Sequence, residues 1–212
     1  IVIVSIVTAA YPRMSKLAQS DKIKEMKSVT VDSITMGLIL IIPATIGLML
    51  FAEPVVRLFY ERRAFTAEST MMTAGALFWY APGLIALIFT NLLNRVFYSL
   101  GDTKTPVVIS IIQVAIDVVL NITLSRLFGL NGLAASTAIG NWFAAFAYLI
   151  FIRRRLGNMQ LTSMFTSTVK ISMATVVMAL IAFATFTYLP IGNEVIRLVL
   201  AILAAAITYG IT

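Results

Sequence analysis

The sequence of 212 residues contains no cysteine and no histidine. Without cysteine, these residues can form no disulfide, no thiolate nucleophile and no cysteine-ligated metal site. Without histidine, they lack the commonest zinc ligand and the imidazole base that Ser-His catalysis requires. We therefore expect that this protein is not an enzyme.

Charge is also scarce, because only 12% of the residues are charged while 60% are hydrophobic. An α-helix needs about 20 apolar residues to cross the hydrocarbon core of a bilayer. Five runs have this character and together hold one ionised residue, Asp117: 33–52, 69–94, 105–125, 127–152 and 171–193. The sequence thus predicts an all-α fold, a polytopic transmembrane helix bundle.

The two ends of the sequence have the composition of partial helices. Residues 1–10 are almost wholly apolar, and residues 198–212 form an apolar stretch too short to complete a span. We expect each end to be part of a helix and the sequence to be a piece of a larger transporter-like protein.

The placement of the basic residues predicts an orientation. Lys and Arg number 16 against 9 acidic residues, a net charge of +7. Short loops rich in Lys and Arg remain cytoplasmic, which places eleven of the 16 inside: Arg13, Lys16, Lys22, Lys24, Lys27, Arg95, Lys104, Arg153, Arg154, Arg155 and Lys170. The outer side then holds Arg57, Arg62, Arg63, Arg126 and Arg197. This distribution is typical of topology signals and contacts with membrane lipids, so we expect no nucleic-acid partner.

The connections between the runs carry helix-end signals. Gly101 is suited to end one helix, and Thr105 is predicted to cap the next. Residues 53–68 predict a short helix lying on the membrane surface, followed by Thr66 as an N-cap. A tight turn is expected at residues 129–132, which would make the flanking helices antiparallel neighbours.

Polar residues in two successive spans suggest a binding site. Gln113, Asp117 and Asn121 recur every four residues and so share one helix face, and Thr137 and Asn141 do the same in the next span. Oxygen atoms from Asp117, Asn121 and Thr137, with a backbone carbonyl such as that of Leu133, would suit Na⁺ or form a protonatable site. The alternative is that Asp117 only joins two helices through hydrogen bonds. No other cofactor is expected.

A second polar stripe lies near the inner end of the 69–94 run. Asn91, Asn94 and Arg95 are candidates for lining a cavity, together with Gln113 and Asn141. Arg95 either extends to the cytoplasmic interface or binds an anionic head group. Pro43 and Pro82 interrupt helical hydrogen bonding within two spans and are hinge candidates.

Four segments resemble the MurJ/MviN family of lipid II flippases, within the superfamily of multidrug, oligosaccharidyl-lipid and polysaccharide exporters. They are YPRMS at 11–15, PATIGL at 43–48, LFYERRAFT at 58–66 and FYSLGDTKTP at 97–106. The third is the most specific, although Arg63 stands where the family usually has glycine. The resemblance covers essentially the whole sequence.

This resemblance implies the C-terminal lobe of a two-lobe flippase of the multidrug-exporter type, plus two extra helices. Residues 1–155 would be the end of helix eight and helices nine to twelve, and residues 156–212 would be helix thirteen and the start of helix fourteen. These last two would form a groove for the lipid tail. The N-terminal lobe, with the arginines that bind the substrate pyrophosphate, would lie outside this sequence.

The implied activity is flipping of lipid II across the bacterial cytoplasmic membrane by alternating access, for cell-wall synthesis. The expected partners are a polyprenyl-pyrophosphate-linked glycan, membrane lipids and proteins of cell-wall synthesis. Two alternatives remain open: a related flippase for another polyprenyl-linked glycan, and a noncatalytic membrane scaffold in cell-wall assembly.

Overall fold

The structure, a computed structural model, describes residues 2–61, 65–157, 161–189 and 192–211, and these form helices with no strand among them. The helices are α1 (Val2–Gln19), α2 (Ile23–Leu50), α3 (Ala52–Tyr60), α4 (Ala67–Tyr80), α5 (Pro82–Ser99), α6 (Lys104–Phe128), α7 (Leu130–Leu156), α8 (Leu161–Tyr188) and α9 (Glu194–Ile211). The predicted all-α fold is confirmed.

Among the described residues, five helices are long and apolar enough to cross a membrane: α2, α6, α7, α8 and α9. Helices α4 and α5 together meet the same criterion, with a bend of 41° between them. The five predicted runs therefore correspond to α2, the α4–α5 pair, α6, α7 and α8. The partial helix expected at 198–212 is longer than predicted, because Asn193 accepts a hydrogen bond from the Val195 amide and α9 begins at Glu194.

The main core lies where α1, α2, α5 and α7 meet. Its fully buried side chains include Met14, Ile34, Leu92, Phe97 and Ile152. Helix α6 packs chiefly on α7 and leaves most of its apolar surface exposed. Such a surface is compatible with lipid, because hydrocarbon solvates apolar side chains as well as a protein core does.

A second, smaller core joins α8 and α9 to the end of α2. It is built from Phe51, Met178, Ala182, Leu198 and Ala201, all of them buried. The phenyl rings of Phe51 and Phe186 also meet edge to face, with centroids 5.4 Å apart. Helices α8 and α9 thus form a unit that packs against α2, at the periphery of the main core.

The predicted orientation groups are found at opposite ends of the bundle. At one end Lys27 donates to the carbonyl of Leu156, and Arg155 forms an ion pair with Asp102. At the other end Arg57, on the short helix α3, contacts Glu194. Two further basic residues assigned to the outer side, Arg62 and Arg63, lie outside the described residues.

Two of the predicted helix ends are confirmed. Gly101 has a positive φ of 71° after α5, and the Thr66 hydroxyl accepts a hydrogen bond from the Ser69 amide at the start of α4. The surface helix expected within 53–68 is α3. The tight turn predicted at 129–132 is shorter than expected, since Gly129, with a φ of 58°, connects α6 directly to α7.

The start of α6 corrects one prediction. Thr105 is not the N-cap, because α6 begins one residue before it. The carboxylate of Asp102 accepts hydrogen bonds from the amides of Lys104 and Thr105, at 3.1 and 3.0 Å, and thus takes the first free amides of the helix. These bonds, the Thr105 amide first, together with the charge of Arg155, hold the pKa of Asp102 below its ordinary value.

We expect Asp102→Ala to lower the free energy of unfolding of the full-length protein by about 1 kcal/mol, the usual effect of losing a helix cap. Because the pKa of Asp102 is lowered by folding, its stabilisation is present above the ordinary pKa and is lost as the pH falls through the lowered value. Denaturant unfolding at neutral and acidic pH measures both effects.

Glu25→Ala is the matched control for this substitution. Glu25 forms an exposed ion pair with Lys22 at the same end of the bundle, and such pairs contribute little to stability. Equal losses in the two variants would contradict the capping role of Asp102.

Candidate functional site

A line of polar contacts joins α6 to α7 within the spans. The side-chain amide of Gln113 donates to the Asn141 side-chain carbonyl at 3.1 Å. Two turns further along α6, the side-chain carbonyl of Asn121 accepts a hydrogen bond from the Ser136 hydroxyl. The stripe of polar residues on α6 therefore faces α7 along its length.

Asp117 lies between these two contacts and is different from both. One of its carboxylate oxygens, Oδ1, is buried and has no hydrogen-bond partner within the described part of the chain. This oxygen lies against Gly140 of α7, so closely that a β-carbon at position 140 would collide with it. A buried, unsatisfied carboxylate oxygen at membrane depth is costly, which makes it a candidate for binding a proton or a cation.

Thr137 does not take the position that its sequence spacing predicts. Its hydroxyl donates to the Leu133 carbonyl of its own helix at 3.2 Å, and that carbonyl also accepts from Ser136 at 2.8 Å. Ser136 rather than Thr137 bonds with Asn121. A difference of one residue turns a helical side chain by about 100°, which separates Thr137 from this line of contacts.

Two functional candidates in α7 were thus missed from the sequence. Ser136 is fully buried and Gly140 is the residue that makes room for Asp117. Both are small residues four positions apart, a spacing that lets two membrane helices approach closely. That spacing is the signal that could have identified them. In an apolar helix it is common, however, and it carries no sign of a bound ion.

The second predicted stripe lies on α5. The Arg95 guanidinium stands 5.3 Å from the centre of the Tyr11 ring of α1, within range of a cation–π interaction. The Asn91 side chain is exposed and donates to the Leu87 carbonyl, whereas Oδ1 of Asn94 is buried without a partner among the described residues. The structure therefore brings Arg95 to α1 and leaves the cavity role of the stripe as a prediction.

The two proline candidates occupy different local structures. Pro82 is the first residue of α5, directly at the bend from α4, and its carbonyl accepts a hydrogen bond from the indole of Trp142 at 3.2 Å. Pro43 lies inside α2, which continues through it to Leu50. Whether either residue acts as a hinge stays a prediction.

Two apolar grooves flank α8. One, of about 520 Å³, is bounded by α2, the start of α3, α8 and α9, and the other, of about 530 Å³, by α2, α5, α7 and α8. The first of these, which we call the α2–α9 groove, is lined in part by both of the last two helices. That it holds a lipid tail stays a prediction. Its lining includes Leu40, Pro43, Leu48, Ile202 and Tyr209.

These features define the chain as a multi-pass helical membrane protein with a polar seam inside the bilayer. A model of the family described as "Lipid II flippase MurJ" matches residues 1–203. The chain belongs to the MurJ family. With its membrane-spanning helices and bacterial relatives, it is a multi-pass protein of the bacterial cytoplasmic membrane.

Comparison with individual proteins agrees with this assignment. A probable lipid II flippase MurJ of Rickettsia prowazekii is 35% identical over 136 residues, which is 64% of this chain and 27% of that protein. A probable lipid II flippase MurJ of Buchnera aphidicola (subspecies Acyrthosiphon pisum) is 26% identical over 216 residues, 97% of this chain and 42% of the relative.

A solved structure has the same fold. It is described as lipid II flippase MurJ in an inward closed conformation, and it matches with a TM-score of 0.80 and 24% sequence identity. The match covers 99% of this chain and 42% of the solved chain. The chain therefore spans less than half the length of these relatives.

We expect Gly140→Ala to destabilise the α6–α7 pair, because the added methyl group and the Asp117 carboxylate cannot occupy the same space. The expected loss is about 1–3 kcal/mol, as for other overpacked sites, measured as a lower thermal unfolding midpoint of the full-length protein. Gly47→Ala is the control, since a β-carbon there meets no atom within 4 Å. Equal midpoints for the two variants would contradict the close approach.

Proposed function

We propose that this chain is part of a flippase that moves lipid II from the inner to the outer leaflet of the cytoplasmic membrane. The observation that carries the proposal is the match of the family model over residues 1–203, which includes the polar seam between α6 and α7. Both named relatives are described as probable lipid II flippases. Transport, rather than chemical conversion of the lipid, is the activity we infer.

In this proposal the polar head group crosses through a water-filled cavity while the hydrocarbon tail stays in the membrane. The substrate is a polyprenyl-pyrophosphate-linked glycan. The exposed polar residues of α5, Asn91 and Arg95, support a cavity wall, because polar side chains in a span generally face water or a partner. The α2–α9 groove supports a place for the tail, since its lining is almost wholly apolar.

Asp117 is the residue through which we propose that transport is coupled to a cation. Its buried oxygen, with the side-chain oxygens of Asn121 and Ser136 one turn away on the same seam, resembles an oxygen-rich site suited to Na⁺ or a proton. Thr137, included in the sequence-based site, is directed to its own helix and is the weaker ligand candidate. A cation that binds one state of the flippase more tightly would shift the equilibrium toward that state.

The first experiment tests the function itself. Cells in which the full-length protein is depleted should lose lipid II from the outer leaflet, as measured by accessibility to an external lipid II-modifying enzyme. Re-expression of the native protein is the control. Undiminished outer-leaflet lipid II after depletion would contradict the proposal, and accumulation of another polyprenyl-linked glycan would favour the related flippase.

The second experiment tests the coupling. We expect Asp117→Asn to lower flipping and to remove its dependence on Na⁺ or pH, because the amide keeps the shape of the carboxylate without its charge. Asp32→Asn is the matched control: Asp32 is exposed on α2, where it accepts a hydrogen bond from Ser28. Unchanged ion dependence in Asp117→Asn would leave helix–helix bonding as the role of Asp117.

A further inference from the structure

Helix α2 has, in its interior, a backbone carbonyl that lacks its usual hydrogen bond within the helix. Pro43 has no N–H, so the carbonyl of Ile39, four residues earlier, receives no hydrogen bond from it within the helix. In the hydrocarbon region such a group must be satisfied from elsewhere in the protein. The phenolic hydroxyl of Tyr209, on α9, donates a hydrogen bond to this carbonyl at 2.7 Å.

This hydrogen bond crosses the α2–α9 groove. Helix α9 packs mainly on α8, through buried small residues such as Ala201 and Ala205. Between α9 and α2 lies the apolar groove of about 520 Å³, whose lining includes both Ile39 and Tyr209. Tyr209 thus reaches over the groove at the inner part of α9.

The outer end of α9 is attached by a second polar contact. The Glu194 carboxylate and the Arg57 guanidinium are 3.1 Å apart, and Glu194 is the main cause of a raised Arg57 pKa. Arg57 also pairs with Glu53 at 2.6 Å. Because both ends of α9 are held by polar contacts, a change at one end alters the groove without detaching the helix.

We propose that Tyr209 is a positioning residue that sets the width of the α2–α9 groove through its hydrogen bond to the carbonyl left open by Pro43. The groove then has a narrow form, with this bond made, and a wide form, with the bond broken, that admits a lipid hydrocarbon chain. That this hydrocarbon chain belongs to a transported lipid rests on the proposed function.

The absence of cysteine from this sequence offers a direct way to measure the width of the α2–α9 groove. Residues 1–212 contain no cysteine, so Met36→Cys on α2 and Ile207→Cys on α9 would be the only labelling sites here. Both native side chains are 63% exposed, and neither lines the groove. Spin labels at these positions, in the full-length protein with any other cysteines replaced and reconstituted in lipid nanodiscs, report the distance between the two helices.

We expect Tyr209→Phe to raise the wide population about three- to tenfold, the usual effect of removing one hydrogen bond. The phenyl ring remains, so the apolar packing is preserved. Tyr188→Phe is the control, because Tyr188 is 81% exposed at the end of α8. An unchanged distance distribution in Tyr209→Phe, or an equal change in Tyr188→Phe, would overturn the proposal.

A double-mutant cycle tests the role of the proline. Pro43→Ala restores an N–H that can bond with the Ile39 carbonyl inside α2. With Ala at position 43, Tyr209→Phe should change the wide population by less than twofold, which is about the deviation seen between independent substitutions. The same response to Tyr209→Phe with Pro43 and with Ala at position 43 would overturn the link between Tyr209 and the open carbonyl.

Binding of a polyprenyl phosphate is the test of what the wide form admits. If the hydrocarbon chain of this ligand enters only the wide form, Tyr209→Phe should strengthen the apparent affinity for the polyprenyl phosphate. The factor should equal the one by which the substitution raises the wide population. An unchanged affinity would overturn chain entry through this groove. Both measurements are made without lipid II. If this relation held while the native full-length protein failed to transport lipid II, the proposed function alone would be contradicted.

Discussion

Hydrocarbon provides no hydrogen-bond partner, and this constraint determines how the polar groups of the chain are arranged. Along the seam between α6 and α7, Gln113 bonds with Asn141 and Asn121 bonds with Ser136. Asp117, between them, is the exception on this seam, because one of its buried carboxylate oxygens faces Gly140 and has no partner among the residues that the structure describes. We propose that this oxygen of Asp117 is an open ligand position for a proton or a cation.

Hydrogen bonds from aromatic side chains also join helices next to two prolines. The carbonyl of Pro82, at the bend between α4 and α5, receives a hydrogen bond from Trp142 of α7. The carbonyl left open by Pro43 receives one from Tyr209 of α9. In each case a long aromatic side chain from another helix bonds at a proline, so the irregular points of the backbone become attachments between helices.

Much of the fold follows from the sequence, because charge-free runs of helical length have few alternatives in a membrane. The limits of α9 were harder to predict, since Glu194 and Arg197 place charges in its first turn and conceal its start. The seam was predicted on α6, where polar residues stand out. On α7 the seam depends on Ser136 and Gly140. The spacing of the sequence does not distinguish Ser136 from its neighbour Thr137 as the residue that faces α6. The Tyr209 contact depends on the packing of distant segments.

We propose that Asp117 exchanges a proton or a cation during transport by the full-length protein. Infrared difference spectroscopy of the carboxylate stretching bands measures this directly, with Asp117→Asn identifying the band. We expect a carboxylate band that changes with Na⁺ concentration or pH in the native protein and is absent from Asp117→Asn. An Asp117 band that responds to neither would contradict this role of Asp117.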